Sequence, residues 1–174
     1  MSTSENWHDY FVADFEAGTL TWKARTDIPQ ERIQRMWNTR YAGKRAGCLG
    51  PDGYWAVRLF RKSHYIHRIL YVMANGPIPE GMQVDHIDHN RGNNCRSNFR
   101  LATNAENNWN TGLRSSNASG MKGVSWVKDR AKWRAGITHH GRSIHIGNYP
   151  TKEEAAAAYA AAAVKYYGAF ASTH

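Results

Sequence analysis

Apolar and polar residues alternate along the last third of the chain with the two-residue period of β-strands. Between residues 132 and 138, every second residue, beginning with Trp133, is apolar or small enough to be buried. Residues 123–127 and 142–146 show strand patterns of similar length, and residues 140–141 form a tight turn between the last two strands. One face of these strands is therefore predicted to cover a core.

An alanine-rich helix is predicted to follow these strands. Thr151 and Glu154 have the spacing of a capping box at its start, and Gly168 is suited to end it. Its small side chains allow close packing on the apolar face of the sheet, toward which Trp126 is also predicted to point. Residues 121–174 are thus predicted to form a three-stranded antiparallel sheet packed on one α-helix.

The first half of the chain has the pattern of short strands separated by turns. Residues 10–12 and 20–22 flank a turn and predict a β hairpin. A Gly-Pro-Asp-Gly turn at residues 50–53 is followed by a strand over residues 54–60. A short helix is predicted from Ile66 to Ala74, where Asn-Gly-Pro ends it.

Residues 83–110 combine two short apolar stretches with many polar residues. Strands are predicted at residues 83–86 and 99–102, and the segment between them has the Asn, Asp and Gly content of a loop. Thr103 and Glu106 fit a capping box, which predicts a helix beginning at Asn104. The predicted order is strand, polar loop, strand, helix.

Residues 111–120 contain little that could be buried and are predicted to be a linker. This divides the chain into residues 1–110, a linker, and residues 121–174. The fold class is therefore α+β, with extra β hairpins in the N-terminal half.

Charge is unevenly distributed over the 174 residues, whose net charge is +9. Residues 32–72 hold nine basic and one acidic side chain, and residues 111–174 hold nine basic and three acidic. Basic surface of this kind attracts phosphates, although a solvated surface would have the same composition.

Composition excludes several classes of protein. An apolar content of 41% with seven Trp and nine Tyr argues against disorder, and no stretch approaches the ~20 apolar residues of a membrane span. The start of the chain lacks the pattern of a signal peptide. Cys48 and Cys95 form no CxxC pair, which argues against a zinc or disulfide framework. We therefore expect reduced thiols and a cytoplasmic protein.

The polar stretch after residue 83 carries the side chains that phosphodiester cleavage needs. A neutral His can accept a proton from water near pH 7, because its unperturbed pKa is about 6.5. A carboxylate with an Asn carbonyl supplies hard oxygen ligands, which suit Mg²⁺ or Mn²⁺ better than zinc. Composition alone leaves an ordinary polar loop equally open, because Asn and Asp are common in turns.

The order of these residues resembles the HNH homing endonucleases of the ββα-metal (His-Me finger) class. The resemblance covers roughly residues 65–110 and rests on the following motifs: Ile66-His67-Arg68, Val84-Asp85-His86-Ile87-Asp88, Asn90, Asn93-Asn94, Asn98-Phe99-Arg100-Leu101-Ala102-Thr103 and Asn107 to Asn110. It implies one divalent ion per active site, with Asp85 and Asn107 as metal ligands. It also implies that His86 is the general base and that Asn98 ties the loop to the strand and orients this base.

Several alternatives remain open in this region. Asn108 or Asn110 would replace Asn107 as the ligand if the helix began elsewhere, and His89 is a rival base. His67 is expected to be structural. Three arginines could contact phosphates or lie in solvent: Arg91, Arg96 and Arg100.

The adjacency of Asp85 and His86 raises a geometric problem. Neighbouring side chains on a regular strand point to opposite faces. Since both would have to approach one phosphate, the strand is predicted to end or distort at His86.

The C-terminal region closely resembles the plant ethylene-response-factor (Apetala-type) DNA-binding domain over residues 121–174. The motifs are Met121 to Trp126, Lys132 to Ile137, Ile146-Gly147-Asn148-Tyr149, Thr151 to Tyr159 and Gly168 to Ala171. The resemblance implies DNA contacts from the outer face of the sheet. The basic candidates are Lys122, Lys128, Arg130, Lys132, Arg134, Arg142 and His145. The plant domains carry Arg where this chain has Ser125 and Val127, so the target sequence cannot be transferred.

These resemblances predict a metal-dependent DNA endonuclease, homing-endonuclease-like, that nicks or cuts double-stranded DNA at a site located by the C-terminal domain. We expect a monomer on DNA, encoded by a phage or mobile element. A catalytically inactive DNA-binding regulator is the main alternative, and a nuclease or binder of structured RNA is a third. Removal of residues 121–174 is expected to weaken cutting and its specificity without abolishing it.

Overall fold

The computed structural model describes residues 6–113 and 116–172. The chain divides into two compact units, Met1–Leu101 and Ala102–His174. The division falls earlier than the predicted boundary after residue 110, and it assigns the helix beginning at Asn104 to the C-terminal unit. Of the predicted linker, residues 114 and 115 lie outside the described residues. Both units combine short antiparallel strands with helices, which confirms the predicted α+β class.

The N-terminal unit is built from short antiparallel strands and two α-helices. In chain order, these elements are β1 (Phe11–Asp14), β2 (Thr19–Trp22), α1 (Glu31–Tyr41), β3 (Cys48–Leu49), β4 (Trp55–Leu59), β5 (Lys62–Tyr65), α2 (Ile66–Asn75), β6 (Met82–His86) and β7 (Phe99–Thr103). β1 pairs with β2, β4 lies between β3 and β5, and β6 pairs with β7. The predicted first hairpin, the strand after the Gly-Pro-Asp-Gly turn and the helix beginning at Ile66 are confirmed.

The core of the N-terminal unit collects apolar side chains from the first hairpin, β4 and α2. Helix α2 contributes Ile66, Ile69 and Leu70, whose spacing places them on one helical face. The hairpin contributes Phe11 and Leu20, both almost completely buried. These side chains form a single cluster, so the hairpin, β4 and α2 pack against one another.

Helix α1 was not predicted from the sequence. Gln30, at its N-terminal cap position, makes no side-chain capping hydrogen bond. Ile33, Met36, Trp37 and Tyr41 have the spacing of one helical face, but Ile33 and Met36 are exposed, so this face is not buried as a whole. Contacts distant in sequence hold it instead. Trp37 lies edge-on to Trp22 at a ring-centroid distance of 5.2 Å. The Asn38 side chain accepts a hydrogen bond from the Arg25 amide and donates one to the Arg25 carbonyl, in the loop before the helix.

The C-terminal unit begins with a short helix, followed by a sheet and a long helix. Its elements are α3 (Asn104–Trp109), β8 (Val124–Val127), β9 (Lys132–His139), β10 (Arg142–Tyr149) and α4 (Lys152–Tyr167). The strands form an antiparallel sheet in the order β10-β9-β8, and α4 packs on its apolar face, as predicted. Thr151 caps α4 by accepting a hydrogen bond from the Glu154 amide.

Burial in this unit follows the alternation of β9. Ala135 and Ile137 are buried against α4, where Ala155 and Ala163 allow close approach. The prediction that Trp126 points into the core is corrected in part. It lies edge-on to the partly buried Trp133 but is 46% exposed, because β8 is an edge strand. Among the described residues, no helix is long and apolar enough to cross a membrane.

Candidate active site

Strand β6 delivers two adjacent polar side chains into buried positions at its C-terminal end. Asp85 is 7% exposed and His86 is 4% exposed. The strand ends at His86, as predicted. Immediately afterwards the Ile87 amide donates to the Asn98 carbonyl at 2.9 Å, and the His89 amide donates to the His86 carbonyl at 3.1 Å. The chain therefore turns away directly after the pair.

The Asp85 carboxylate forms an ion pair with Arg100 on the partner strand β7. The Arg100 Nε donates to Asp85 Oδ2 at 2.9 Å, and both side chains are largely buried. A carboxylate needs such a partner when it is buried, because desolvation of an isolated charge is costly. From the sequence, Arg100 was predicted either to contact phosphate or to lie in solvent. In the structure, its guanidinium is paired with the Asp85 carboxylate.

His86 is oriented by a hydrogen bond and by surrounding rings. Its Nε2 lies 3.0 Å from Asn94 Oδ1. An amide oxygen can only accept a hydrogen bond, so this contact requires a proton on Nε2 and leaves Nδ1 as the basic nitrogen. The ring of His67 lies 5.0 Å away, edge-on, and that of Phe99 lies 5.4 Å away.

The loop between β6 and β7, residues 87–98, is organised around Asn98 and Asp88. Asn98 Oδ1 accepts from the Asp88 amide at 3.0 Å, and its Nδ2 donates to Asp88 Oδ1 at 2.8 Å. The Asn93 side chain donates to the other Asp88 oxygen at 2.7 Å. Partial burial alone would raise the pKa of Asp88, but the hydrogen bonds from Asn93 and Asn98 hold it below its usual value. The Asp88 carboxylate therefore stabilises the conformation of the loop through these hydrogen bonds.

His67 packs beneath the site as a neutral ring. It is buried, and burial together with the nearby His86 and Arg68 lowers its pKa from 6.5 to about 3. Its ring also stacks on Tyr65 at 5.6 Å. A group that stays uncharged across the neutral pH range fits the structural role expected for it.

The remaining candidates from the polar loop lie at its surface. His89 is exposed and adopts a left-handed backbone conformation with φ of 64°, in contrast to the buried His86. Arg91 donates to the Asp52 carbonyl at 2.9 Å and lies over the ring of Tyr54. Arg96 lies over the ring of Phe15 at 6.0 Å.

Asn107 lies on helix α3, whose start is fixed by the predicted capping box. The Thr103 hydroxyl accepts from the Glu106 amide, and the Glu106 carboxylate accepts from the Thr103 amide. Asn107 is half-buried, Asn108 is exposed and Asn110 is buried just beyond the helix. Asp85 belongs to the N-terminal unit and Asn107 to the C-terminal unit, and their joint role as ligands remains a prediction.

Helix α3 is attached to the rest of the C-terminal unit at its last residue. The Trp109 ring stacks on Tyr167 at 4.7 Å with an interplanar angle of 12°. The Lys122 ammonium donates to the carbonyls of Trp109, at 2.8 Å, and Thr111, at 2.5 Å. Burial lowers the pKa of Lys122. This lysine, predicted to bind DNA, thus engages carbonyls of its own chain.

The other predicted DNA-binding side chains are exposed. They lie on β9, on β10 and on the short 3-10 helix at Lys128–Arg130: Lys128, Arg130, Lys132, Arg134, Arg142 and His145. Lys132 and Arg134 alternate with side chains that face α4, so they project from the opposite face of the sheet. A bulge in the pairing of β10 with β9 follows His145. His145 shares this face, because it pairs with Gly136 of β9, whereas Arg142 pairs with His139 and lies on the side of Ile137. We call the face that carries Lys132, Arg134 and His145 the outer sheet face.

Comparison with known proteins identifies the family. Residues 64–109 match the family model described as HNH endonuclease. Protein 3.8 of Escherichia phage T7 is 44% identical over 87 residues, which are 50% of this chain and 72% of that protein. A protein of Acanthamoeba polyphaga mimivirus described as an uncharacterized HNH endonuclease is 38% identical over 125 residues, 71% of this chain and 64% of that protein. The chain belongs to the HNH endonuclease family.

Among solved structures, this HNH endonuclease is similar to the HNH homing endonuclease I-HmuI, in a study of DNA binding and cleavage by that enzyme. The similarity covers 94% of this chain and 88% of the other, with 21% identity and a TM-score of 0.44. The chain spans slightly less than two thirds of the length of its mimivirus relative.

Two side chains at the HNH site have contacts that were not predicted from the sequence: Asn94 bonds His86, and Arg100 pairs with Asp85. Asn94 is one of several Asn residues in the polar loop, and nothing in the sequence distinguishes it as the partner of His86. Arg100 pairs with Asp85 because β7 lies beside β6, a relation that depends on strand register. The alternation of β7 could have indicated only that Arg100 shares a face with Ala102.

The predicted ligand set of this HNH endonuclease consists of one carboxylate and one amide oxygen. In the part of the chain that the structure describes, no group of three or more His, Cys, Asp and Glu side chains is placed to hold a metal ion. One Asp with one Asn leaves most positions around an ion to water and phosphate oxygens, which suits Mg²⁺ or Mn²⁺. The buried carboxylate of Asp85 fits this chemistry, since it is already held beside a cation by Arg100.

Proposed function

We propose that this HNH endonuclease hydrolyses phosphodiester bonds of double-stranded DNA in a metal-dependent reaction, by nicking or double-strand cutting. The observation that carries the proposal is the buried Asp85-His86 pair at the end of β6, within the residues that match the family model. A carboxylate ligand and an oriented imidazole lie side by side, and hydrolysis of a phosphodiester uses such a combination of metal ligand and general base.

Asp85 and Asn107 are proposed to hold one Mg²⁺ or Mn²⁺ ion. When bound, such an ion supplies charge stabilisation at the phosphate and at the departing oxygen. Asp85 would then exchange its contact with Arg100, at least in part, for a contact with the ion. Asn107 would add a neutral oxygen, so the site retains positive charge toward the phosphate.

His86 is proposed to act as the general base. Water attacks phosphorus and transfers a proton to Nδ1, while Nε2 keeps its proton on Asn94. The bond between phosphorus and the 3′ oxygen breaks, and this oxygen takes a proton from solvent. The products are a 5′ phosphate and a 3′ hydroxyl. A positioned base of this kind contributes about 10²- to 10⁴-fold to a rate.

The outer sheet face is proposed to locate the DNA site, in the manner of the Apetala-type domain that residues 121–174 resemble. A three-stranded sheet is narrow enough to enter the major groove, which is about 12 Å wide. Exposed Lys132, Arg134 and His145 of this face would contact phosphates and base edges, with Arg142 contributing from the start of β10. We expect a monomer that acts on DNA in the cytoplasm of a host cell, and the similarity to a phage protein supports that setting.

Plasmid nicking tests the proposal. Wild-type protein with Mg²⁺ should convert supercoiled plasmid to nicked or linear forms, and His86→Ala should do so at least about 10²-fold more slowly, although both should retard DNA on a gel. A protein that retards DNA without cutting it under any divalent metal would be a DNA-binding regulator instead. Stronger competition by duplex RNA than by duplex DNA would redirect the proposal to an RNA substrate.

A further inference from the structure

The side chain that orients His86 is itself held by the first hairpin of the chain. The two polar partners are among the most buried in the protein, with His86 4% and Asn94 3% exposed. Their contact, at 3.0 Å, joins the end of β6 to the middle of the 87–98 loop. A loop this polar has many alternative hydrogen bonds available, so the position of Asn94 needs an external constraint.

The constraint is the turn between β1 and β2, residues 15–18. Gly18 lies so close to the loop that a Cβ on it would be 2.3 Å from the Asn94 carbonyl carbon and 2.6 Å from the Cys95 amide nitrogen. Gly18 also has φ of +63°, a conformation that favours glycine. The Arg96 amide donates to the Phe15 carbonyl at 2.9 Å. The loop backbone is therefore held on both sides of Cys95, by the close packing of Gly18 on one side and by the hydrogen bond to Phe15 on the other.

The hairpin can serve as a rigid support because its strands belong to the main core. Phe11 and Leu20, on the strands that flank the turn, are 1% and 0% exposed. The turn itself is stabilised by Asp14, whose Oδ1 accepts from the amides of Glu16 and Ala17. Residues of the N-terminal region, which have no chemical role predicted from the sequence, thus contact the residue that bonds the candidate general base.

We propose that Asn94 is a positioning residue for the general base and that the 15–18 turn is the support that holds it. This inference rests on the proposed function, in which His86 accepts a proton from water. Asn94 fixes the tautomer and direction of the imidazole by accepting from Nε2.

The direct test compares two substitutions of Asn94 in the full-length protein. Asn94→Asp keeps an oxygen that accepts from Nε2, whereas Asn94→Leu has a similar volume and no acceptor. We expect Asn94→Leu to lower the single-turnover nicking rate at saturating DNA roughly 10²-fold, with unchanged DNA affinity. Asn94→Asp should retain at least a tenth of the wild-type rate. Asn38→Leu is the matched control, because the half-buried Asn38 side chain bonds the backbone of Arg25 and not the 87–98 loop, and it should cut like wild type.

A double-mutant cycle separates positioning from general destabilisation. In a His86→Ala background, Asn94→Leu should have no further effect on residual cleavage, since its partner is already absent. Gly18→Ala, which pushes against the Asn94 backbone, should show the same dependence on His86. Additive losses in either pair, or equal losses for Asn94→Asp and Asn94→Leu at equal melting temperatures, would overturn the inference.

The outcomes also distinguish this inference from the proposed function. If His86→Ala cuts at the wild-type rate, His86 is not the base and the proposed function itself fails. If His86→Ala is inactive while Asn94→Leu cuts like wild type, the base stands and only the positioning role is lost.

Discussion

Asp85 and His86 are neighbours in the chain, yet they take their partners from different places. Asp85 is paired across the sheet with Arg100, and His86 is bonded to a loop residue, Asn94. The two side chains therefore depend on separate supports. Loss of one partner of a buried ion pair leaves a charge that is expensive to keep away from water, whereas loss of both partners does not.

The Asp85-Arg100 pair gives a prediction that separates stability from activity. Asp85→Ala should lower the free energy of unfolding by about 3–5 kcal/mol, because it leaves the Arg100 charge uncompensated. Asp85→Ala combined with Arg100→Met should recover much of that loss. Both variants should fail to cut DNA and to bind Mn²⁺ at the site, while retarding DNA on a gel. Urea denaturation and Mn²⁺ titration calorimetry measure the two properties. A double variant no more stable than the single one would contradict the prediction.

His67 gives a prediction about pH. Its pKa is 6.5 when unfolded and about 3 in the folded protein, because burial opposes its charge. Between these values the unfolded chain binds one proton more, so the free energy of unfolding should fall as pH is lowered from about 6.5 toward about 3. His67→Phe should flatten this dependence. Denaturation measured across the window checks it, and an unchanged slope in the variant would show that other groups are responsible.

At the level of the elements, the sequence predicted those that carry their own local signals. The capping boxes located the starts of α3 and α4, and the alternation of β9 identified its buried face. Helix α1 lacks a side-chain cap, and the partners that hold its apolar residues, including Trp22, come from other parts of the chain. The same limit applies to the site. Asp85 and His86 were identifiable, but their partners depend on strand register and on a loop conformation that no local pattern encodes.

Helix α3 depends on tertiary contacts for its stability. Six residues are too few for a helix to persist alone in water, even with a capping box. Trp109 and Lys122 provide what is missing, one by stacking on Tyr167 and the other by binding carbonyls at the helix end. Removal of residues 121–174 would take away both supports. We therefore expect α3 to unfold in this truncated protein. Because α3 carries Asn107, the loss of cleavage activity should be larger than the sequence alone predicted.

Substitution of Trp109 tests this dependence within the full-length chain. Trp109→Ala should lower the free energy of unfolding by at least about 1 kcal/mol, the contribution of an aromatic pair beyond its buried area. Trp126→Ala is the matched control, because Trp126 is an exposed tryptophan of the same unit. Its loss should be clearly smaller. Urea denaturation followed by circular dichroism compares them, and equal losses would argue against an anchoring role for Trp109.

For the whole molecule, the uneven charge matters more than the net value of +9. The structure divides the C-terminal basic residues into two groups. Lys122 donates to carbonyls of its own chain, whereas Lys132 and Arg134 are exposed on the outer sheet face. Only exposed cations can release counterions when they meet a phosphate.

Salt dependence of DNA binding tests the outer sheet face. Each phosphate contact removed should reduce the slope of log affinity against log salt concentration by about one. Arg134→Ala and Lys132→Ala should each do so. Lys165→Ala, an exposed lysine of α4 on the opposite side of the sheet, should leave the slope unchanged. Equal effects for Lys165 and Arg134 would show that the attraction is diffuse.

The stack of Trp109 on Tyr167 also bears on how such a protein could acquire a new target. An exchange of recognition domains, in nature or by design, would most simply join two coding sequences within the small polar segment after residue 110. A domain received at that junction would lack the partners of Trp109 unless it brought an aromatic residue and a lysine to the same places. Viable chimaeras should therefore either carry α3 over with its own sheet or be selected for repair of that stack.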